Sequence, residues 1–280
     1  MKTHYVLFAT LILAGCATPA PESAPEPDDD VDIGVLWAEH SAEYQAVSAQ
    51  VYAQARRDLP RLLADPEWTA LPGDQDVAGK PPAIILDVDE TAVSNADYQK
   101  TLAYAPYTRF RHFDWMRNNE AVPVRGAVRM VDAARAAGVE VFFVTNRACE
   151  PFDGVEGDCP YEQVTIDDLR EAGIETDPEH VLMAWEQPGW DKEKLTRREY
   201  VAQTHRVIML FGDDYGDFVH CTRAKPLAPC TEPATRASRH AALDTYDEYW
   251  GNGWYILPLS LIHISEPTRQ VLVSRMPSSA

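Results

Sequence analysis

The sequence predicts an α/β fold: a doubly wound parallel sheet with a smaller helical subdomain built from the N-terminal helix and from insertions. Three observations lead there. Apolar runs of strand length recur at residues 84–86, 140–145, 180–185 and 207–211, and stretches of helical periodicity separate them, which is the pattern of parallel strands joined by crossover helices. These runs end in residues able to do chemistry, and ligands of open α/β sheets sit at that edge. A length of 280 residues, of which 45% are hydrophobic, supports one sizeable domain plus appendages.

Charge narrows the partners. A formal net charge of −19 repels nucleic-acid backbones and anionic membrane surfaces, so no nucleic-acid polymer is expected, whereas a divalent cation suits it. Glycine-rich phosphate loops, zinc-type cysteine pairs and internal repeats are absent from the sequence.

In chain order, Lys2 precedes an apolar stretch at residues 5–13 that ends in Leu13-Ala14-Gly15-Cys16. This reads as a secretory signal with a small-residue cleavage site, too short for a bilayer span of about 20 apolar residues. The tetrad resembles the bacterial lipobox, which implies cleavage before Cys16 and lipidation there. Ala17 resembles the outer-membrane sorting pattern, so the expected location is the bacterial cell envelope, lipid-anchored to the outer membrane. Residues 17–30 are proline-rich and acidic and read as a solvated tether.

From Ser41, a candidate N-cap, Tyr44, Val47, Val51, Tyr52, Ala55, Leu59, Leu62 and Leu63 share one helical face, which predicts a long helix packed on the core. The run Ile84-Ile85-Leu86 then meets Asp87-Val88-Asp89-Glu90-Thr91. Strand faces alternate, so Asp87 and Asp89 share a space only at the strand's C-terminal edge. Helices are predicted over residues 123–137, 165–172 and 192–203, the first two closed by Gly138 and Gly173. The second strand ends in Thr145-Asn146-Arg147, and the fourth runs into Gly212-Asp213-Asp214-Tyr215-Gly216-Asp217. With Cys16 lipidated, Cys149, Cys159, Cys221 and Cys230 remain, and an exported protein with four cysteines has three connectivities open to it. Cys149 with Cys159 and Cys221 with Cys230 are the local pairings.

Residues 259–269 look like a translated transposon-end adapter from sequencing-library preparation, and residues 274–280 like the adjoining primer in another frame. The expected organisation is therefore a signal peptide at 1–15, lipidated Cys16 and tether at 16–32, the folded domain at 33–258 and a non-native tail at 259–280.

Asp87/Asp89, Thr145, the Lys192 region and Asp213/Asp217, in that order, resemble the haloacid dehalogenase (HAD) superfamily of phosphohydrolases. Together with the lipobox, Asp-x-Asp-Glu-Thr, Thr-Asn-Arg and Gly-Asp-Asp-x-x-Asp-Phe, residues 36–258 resemble the class C acid phosphatases, or lipoprotein 5′-nucleotidases. The resemblance implies a HAD-like, Rossmannoid domain that hydrolyses small phosphomonoesters, such as nucleoside monophosphates, with Mg²⁺. It implies Asp87 as nucleophile and Asp89 as acid/base. The metal is implied on Asp87, the Asp89 carbonyl and Asp213, with Asp217 in support. Thr145, Asn146 and a lysine are implied at the phosphate. Asp191-Lys192-Glu193-Lys194 offers two lysines; Lys192 matches the family's Asp-Lys-Ser pattern and is the one chosen. Tyr98, Trp115 and Trp254 are candidates to stack on a base. The family continues past a Leu-Pro pair like Leu257-Pro258 into a segment with Asn-Pro, Tyr-Gly and Trp, so the tail is expected to replace part of the pocket. A non-catalytic haem- or cofactor-uptake lipoprotein and a phosphotransferase are competing readings, and the reading allows a homodimer.

Overall fold

The computed structural model describes residues 33–258, apart from 74, 103, 104 and 119. The signal stretch, Cys16, the tether and the 259–280 tail lie outside the described residues. In chain order the elements are α1 (Ile33–His40), α2 (Ala42–Ala64), β1 (Pro82–Leu86), β2 (Val93–Ser94), α3 (Ala96–Thr101), α4 (Arg109–Asn118), β3 (Val122–Pro123), α5 (Ala127–Ala136), β4 (Glu140–Ala148), α6 (Pro160–Glu171), β5 (Val181–Ala184), α7 (Leu195–Thr204), β6 (Arg206–Gly212), α8 (Arg236–Thr245) and β7 (Trp254–Ile256). Five strands form one sheet in the order β5-β4-β1-β6-β7, and every neighbouring pair is parallel. The chain winds outward from β1 in one direction and then crosses to β6 on its other side. The switch point between β1 and β6 opens a crevice at the strands' C-terminal ends.

Alternation along the strands builds two cores. Ile84, Leu86, Val141, Phe143 and Phe211 face a layer formed by α2, α5 and α6, whereas Ala83, Ile85, Phe142, Val144 and Leu210 face Val201 of α7, Trp190, Phe218 and Trp254. Strands buried on both faces read as continuous apolar runs, which is why the sequence shows no polar alternation there. In α2, Ser41 caps as predicted: its Oγ accepts from the Tyr44 amide at 3.1 Å. The buried stripe Tyr44, Ser48, Tyr52, Ala55, Leu59, Leu62 lies on the sheet side. At Gly126, which precedes α5 with φ +108°, a Cβ would stand 2.8 Å from Tyr52 Cβ, so glycine is needed both for the turn and for the approach of α5 to α2.

The smaller subdomain is the insertion between β1 and α5, comprising α3, α4 and the antiparallel β2/β3 ladder. Helix α1 joins it through an ion pair from Glu39 to Lys100 of α3. An insertion was expected, but its elements α3, α4, β2 and β3 were not located by the sequence reading, nor were α8 and β7. Helix α4 is charge-rich and buries only His112, Phe113 and Met116, α8 buries nothing, and β7 is three residues long. Among the described residues no helix is long and apolar enough to cross a membrane.

Both local cysteine pairings are present, Cys149 with Cys159 and Cys221 with Cys230. The first closes the loop between β4 and α6, the second the loop after β6. Reduction is expected to cost about 2–4 kcal/mol per bridge. Chemical denaturation with and without reductant reads this, and peptide mapping that joined Cys149 to Cys221 would contradict the pairing.

Candidate active site

The end of β1 is held from β6: the Asp87 amide donates to the Phe211 carbonyl at 2.9 Å. The chain then turns sharply, with Ala92 and Val93 amides donating to the Val88 carbonyl at 2.9 and 3.0 Å and Glu90 in the left-handed region at φ +58°. Glu90 is fully buried, and its Oε1 accepts from the Asn95 amide at 2.8 Å and from Gln99 Nε2 at 3.0 Å. Burial, with Asp89 and Asp87 nearby, pushes its carboxyl up to about 8. This turn sets Asp87 and Asp89 at the mouth of the crevice.

Asp87 meets Asp213 and Asp217 there, with one carboxylate oxygen from each lying within 4.8 Å of the others. All three are buried. Gly212, the last residue of β6, is what admits Asp217, because a Cβ at that position would collide with its carboxylate. Asp217 also accepts from the Asp214 amide at 3.0 Å, closing a capping box on the short turn Tyr215–Asp217. Among the described residues, Lys194 is the cation in direct contact with the carboxylates of this set. Lys194 Nζ lies 2.5 Å from Asp87 Oδ1 and 2.6 Å from Asp217 Oδ1. Burial works against its charge, but Asp217 and Asp87 raise it. For three carboxylates there is one ammonium in contact, while buried Arg197 and Arg198 act on Asp87 and Asp217 through space. Accordingly burial, with Lys194 opposing and Asp217 and Asp89 adding, pushes Asp87 up to about 7, and burial with Asp217 and Asp87 pushes Asp213 well above the carboxylate range. Asp213 Oδ2 is buried without a hydrogen-bond partner among the described residues. Hard oxygen donors converging in this crowded carboxylate set fit a divalent cation.

Residues at and just before the start of α7 organise three loops at once. Arg197, fully buried, donates to the Thr145 carbonyl, to Asn146 Oδ1 at 2.9 Å and to the Asp191 carbonyl at 2.7 Å. Arg198 donates to the Asp217 carbonyl at 2.6 Å. With its oxygen committed to Arg197, the Asn146 amide nitrogen is left for the crevice. Thr145 is buried, and its Oγ1 accepts from the Arg147 amide at 3.1 Å. Asp89 turns the other way. Its carboxylate accepts from Arg147 Nη2 at 2.8 Å, from Arg147 Nε at 3.1 Å and from Asn95 Nδ2 at 2.6 Å. Arg147 in turn donates to Asp168 at 2.6 Å. Burial opposes ionisation of Asp89, but the Arg147 guanidinium overrides it and holds the carboxyl well below the usual range.

Residues 26–243 match the family described as HAD superfamily, subfamily IIIB (acid phosphatase). The chain belongs to this family. This HAD acid phosphatase is also similar in fold to the class C acid phosphatase from Bacillus anthracis, at 22% identity and a TM-score of 0.66 over 89% of this chain and 97% of that one. The structure of the same Bacillus anthracis enzyme with tungstate bound gives 23% identity, a TM-score of 0.66 and the same coverage. Membership makes the protein a phosphomonoesterase acting on small phosphate esters, and HAD phosphatases are generally dependent on a divalent metal. The parallel five-stranded sheet agrees with that fold.

Beside Asp89 and Asn146 the acid phosphatase has a cleft of about 350 Å³, also lined by Asn95, Tyr98, Tyr107, His112, Arg147, Tyr161, Trp185 and Lys192 among others; Asp87, Asp213 and Asp217 are not in its lining. Two sequence assignments need correction. Lys192 is exposed, its Nζ 5.6 Å above the Trp185 ring, while Lys194 holds the place beside Asp87. The helix starts later than the sequence suggested, so Lys194 rather than Lys192 is its N-cap. Trp254 is not in the cleft: it is 1% exposed in the second core, its Nε1 donating to the Ala70 carbonyl at 2.7 Å. Tyr98 does line the cleft, and Trp115 stands behind it with ring centroids 5.4 Å apart. The sequence reading assigned nothing to Arg147, Arg197, Arg198 or Trp185. The spacing of Lys194, Arg197 and Arg198 at one helix start was the available signal for two of these.

Proposed function

We propose that this acid phosphatase hydrolyses small phosphomonoesters, nucleoside monophosphates among them, through an aspartyl-phosphate on Asp87, with Mg²⁺ as its metal. The observation that carries the reading is the buried convergence of Asp87, Asp213 and Asp217 around Lys194. Asp87, Asp213 and Asp217 would hold the ion, with the Asp89 carbonyl in the role the family resemblance gives it. When bound, the ion offsets the carboxylates so that a phosphate dianion is able to approach, and it polarises the phosphoryl oxygens. Tungstate in the Bacillus anthracis relative is an oxyanion of related shape and supports an oxyanion pocket on this fold.

The chain's own groups divide the work. Asp87 attacks phosphorus, the ester P–O bond breaks, and Asp89 gives its proton to the departing oxygen. Asp89 then takes a proton from water as that water attacks phosphorus, the bond to Asp87 breaks, and inorganic phosphate and the free carboxylate are restored. Thr145 and the Asn146 amide hold phosphoryl oxygens, and Lys194, not Lys192, balances charge on them. In the free site Arg147 keeps Asp89 ionised. A phosphate dianion beside it raises its affinity for a proton, and acidic conditions supply one.

Cys16 and the residues before it support a lipid-anchored enzyme at the outer membrane, where phosphate esters that cross membranes poorly are hydrolysed before uptake. Phosphate release from a panel of phosphomonoesters, measured before and after chelation, tests the reading. EDTA should abolish turnover and Mg²⁺ should restore it; undiminished release after exhaustive chelation would overturn the metal role. The intact pair Asp87 and Asp89 favours this reading over a binding lipoprotein, because binding alone requires no nucleophile beside an acid.

A further inference from the structure

The cleft contains more positive charge than the reaction uses. Besides Arg147, which is committed to Asp89 and Asp168, its lining includes Lys192, Arg223 and Arg109. Three clustered cations are unexpected on a chain of net charge −19. They are also partly fixed in place. Arg223 Nη2 donates to the Lys192 carbonyl at 3.0 Å, and its Nε lies 3.5 Å from Glu193 Oε1. Arg109 pairs with Glu150 at 2.5 Å. Lys192 makes no ion pair among the described residues; its Nζ rests over the face of Trp185, a residue held at φ +62°.

That backbone conformation is costly for a tryptophan and occurs where the surroundings enforce it, often at ligand-binding positions. Here it leaves Trp185 37% exposed, its ring the platform under Lys192. The Cys221–Cys230 bridge anchors the loop just before Arg223. Among the side chains that line the cleft, Arg109, Arg147, Lys192 and Arg223 stand against the one carboxylate of Asp89, with Glu150 and Glu193 outside the lining, so the cleft wall itself is net positive. Lys192 reaches solvent along part of its length, yet desolvation at the cleft wall, followed by repulsion from Arg223 and Arg109, lowers its proton affinity. A cluster of like charges of this kind is relieved by an anion seated among them.

The phosphoryl group undergoing transfer sits elsewhere in the proposed reaction, at Asp87, Thr145, Asn146 and Lys194. We infer that Lys192, Arg223 and Arg109 form a second anion subsite, and that the preferred substrates are small phosphomonoesters carrying a second phosphate on the same molecule. A nucleoside bisphosphate has the required chemistry: one phosphate to be hydrolysed, and another to be held by guanidinium and ammonium groups at the cleft wall. The inference rests on the phosphomonoesterase reading above and narrows its substrate class.

Steady-state kinetics of the Mg²⁺-loaded full chain on p-nitrophenyl phosphate, adenosine 5′-monophosphate and adenosine 3′,5′-bisphosphate test it. The wild type should favour the bisphosphate over the monophosphate by about tenfold or more in kcat/KM, chiefly through KM, and the advantage should shrink as salt is raised. Lys192→Glu, at an exposed position that the fold does not depend on, should remove the preference, raising KM for the bisphosphate about tenfold more than for the monophosphate. Arg223→Gln should act in the same direction. Equal kcat/KM for the two adenosine substrates in the wild type, or parallel losses across all three substrates in Lys192→Glu, would overturn the subsite while leaving the phosphatase intact. Failure of the wild type to hydrolyse even p-nitrophenyl phosphate would instead sink the reading beneath it, and the subsite with it.

Discussion

Asp87→Asn is expected to lower kcat by about 10⁴-fold or more, the scale seen when a covalent nucleophile is removed from a site whose other groups remain. The change is nearly isosteric, yet an amide neither attacks phosphorus nor accepts it. The fold should survive. The substitution takes one ionisable group out of a buried set of three carboxylates and so relieves like-charge crowding, although it weakens the contact with Lys194. Thermal unfolding should therefore stay within a few degrees of the wild type while phosphate release disappears. Purified Asp87→Asn protein that retains more than about 1% of wild-type turnover, free of contaminating phosphatase, would be incompatible with attack by Asp87.

Lys194→Met should combine two large effects. Removal of the ammonium leaves Asp87 and Asp217 buried without their common partner, and breaking a buried pair on one side costs about 3–5 kcal/mol. It also removes the cation next to the nucleophile, for which a loss of about 10²–10³-fold in kcat is expected. Urea denaturation and turnover of p-nitrophenyl phosphate read the two separately. The decisive comparison is with Lys192→Met, whose kcat on the same substrate should exceed that of Lys194→Met by about a hundredfold. If Lys192→Met were the more damaged of the two, the assignment of Lys194 would be wrong.

The sequence located β1, β4, β5 and β6 because a buried parallel strand is an uninterrupted apolar run that makes the polar residues after it conspicuous, although β4 runs three residues past Thr145, to Ala148. Asp87, Asp89, Thr145, Asn146, Asp213 and Asp217 were legible for that reason. The lysine was not. Near a helix start the direction of a side chain depends on which residue begins the helix, and a shift of two or three residues exchanges Lys192 for Lys194. Trp254 misled because a large aromatic carries no mark of which side of a sheet it faces. In β7 it turns toward the second core, while its neighbour Tyr255 faces the first. Arg147 was overlooked because its task is to hold Asp89, a contact between residues 58 positions apart that no local pattern encodes. Of the cleft wall from α3 and α4, Tyr98 and Trp115 were flagged but the helices that carry them were not, because these are short and charged and take their shape from contacts such as Tyr98 with His112.

The arrangement around α7 also bears on how the protein loses activity. Lys194, Arg197 and Arg198 tie Asp87, the Thr145-Asn146 segment and the turn at Asp217 to one short stretch of backbone. Groups anchored to a common element open together, since releasing one set of contacts removes the support of the others. Fraying of this stretch thus takes away the nucleophile's counter-charge, the oxyanion cradle and the acidic turn in a single event. Partial damage has no intermediate to stop at, and a population of molecules under thermal stress divides into fully competent and fully silent members rather than drifting through weakened ones.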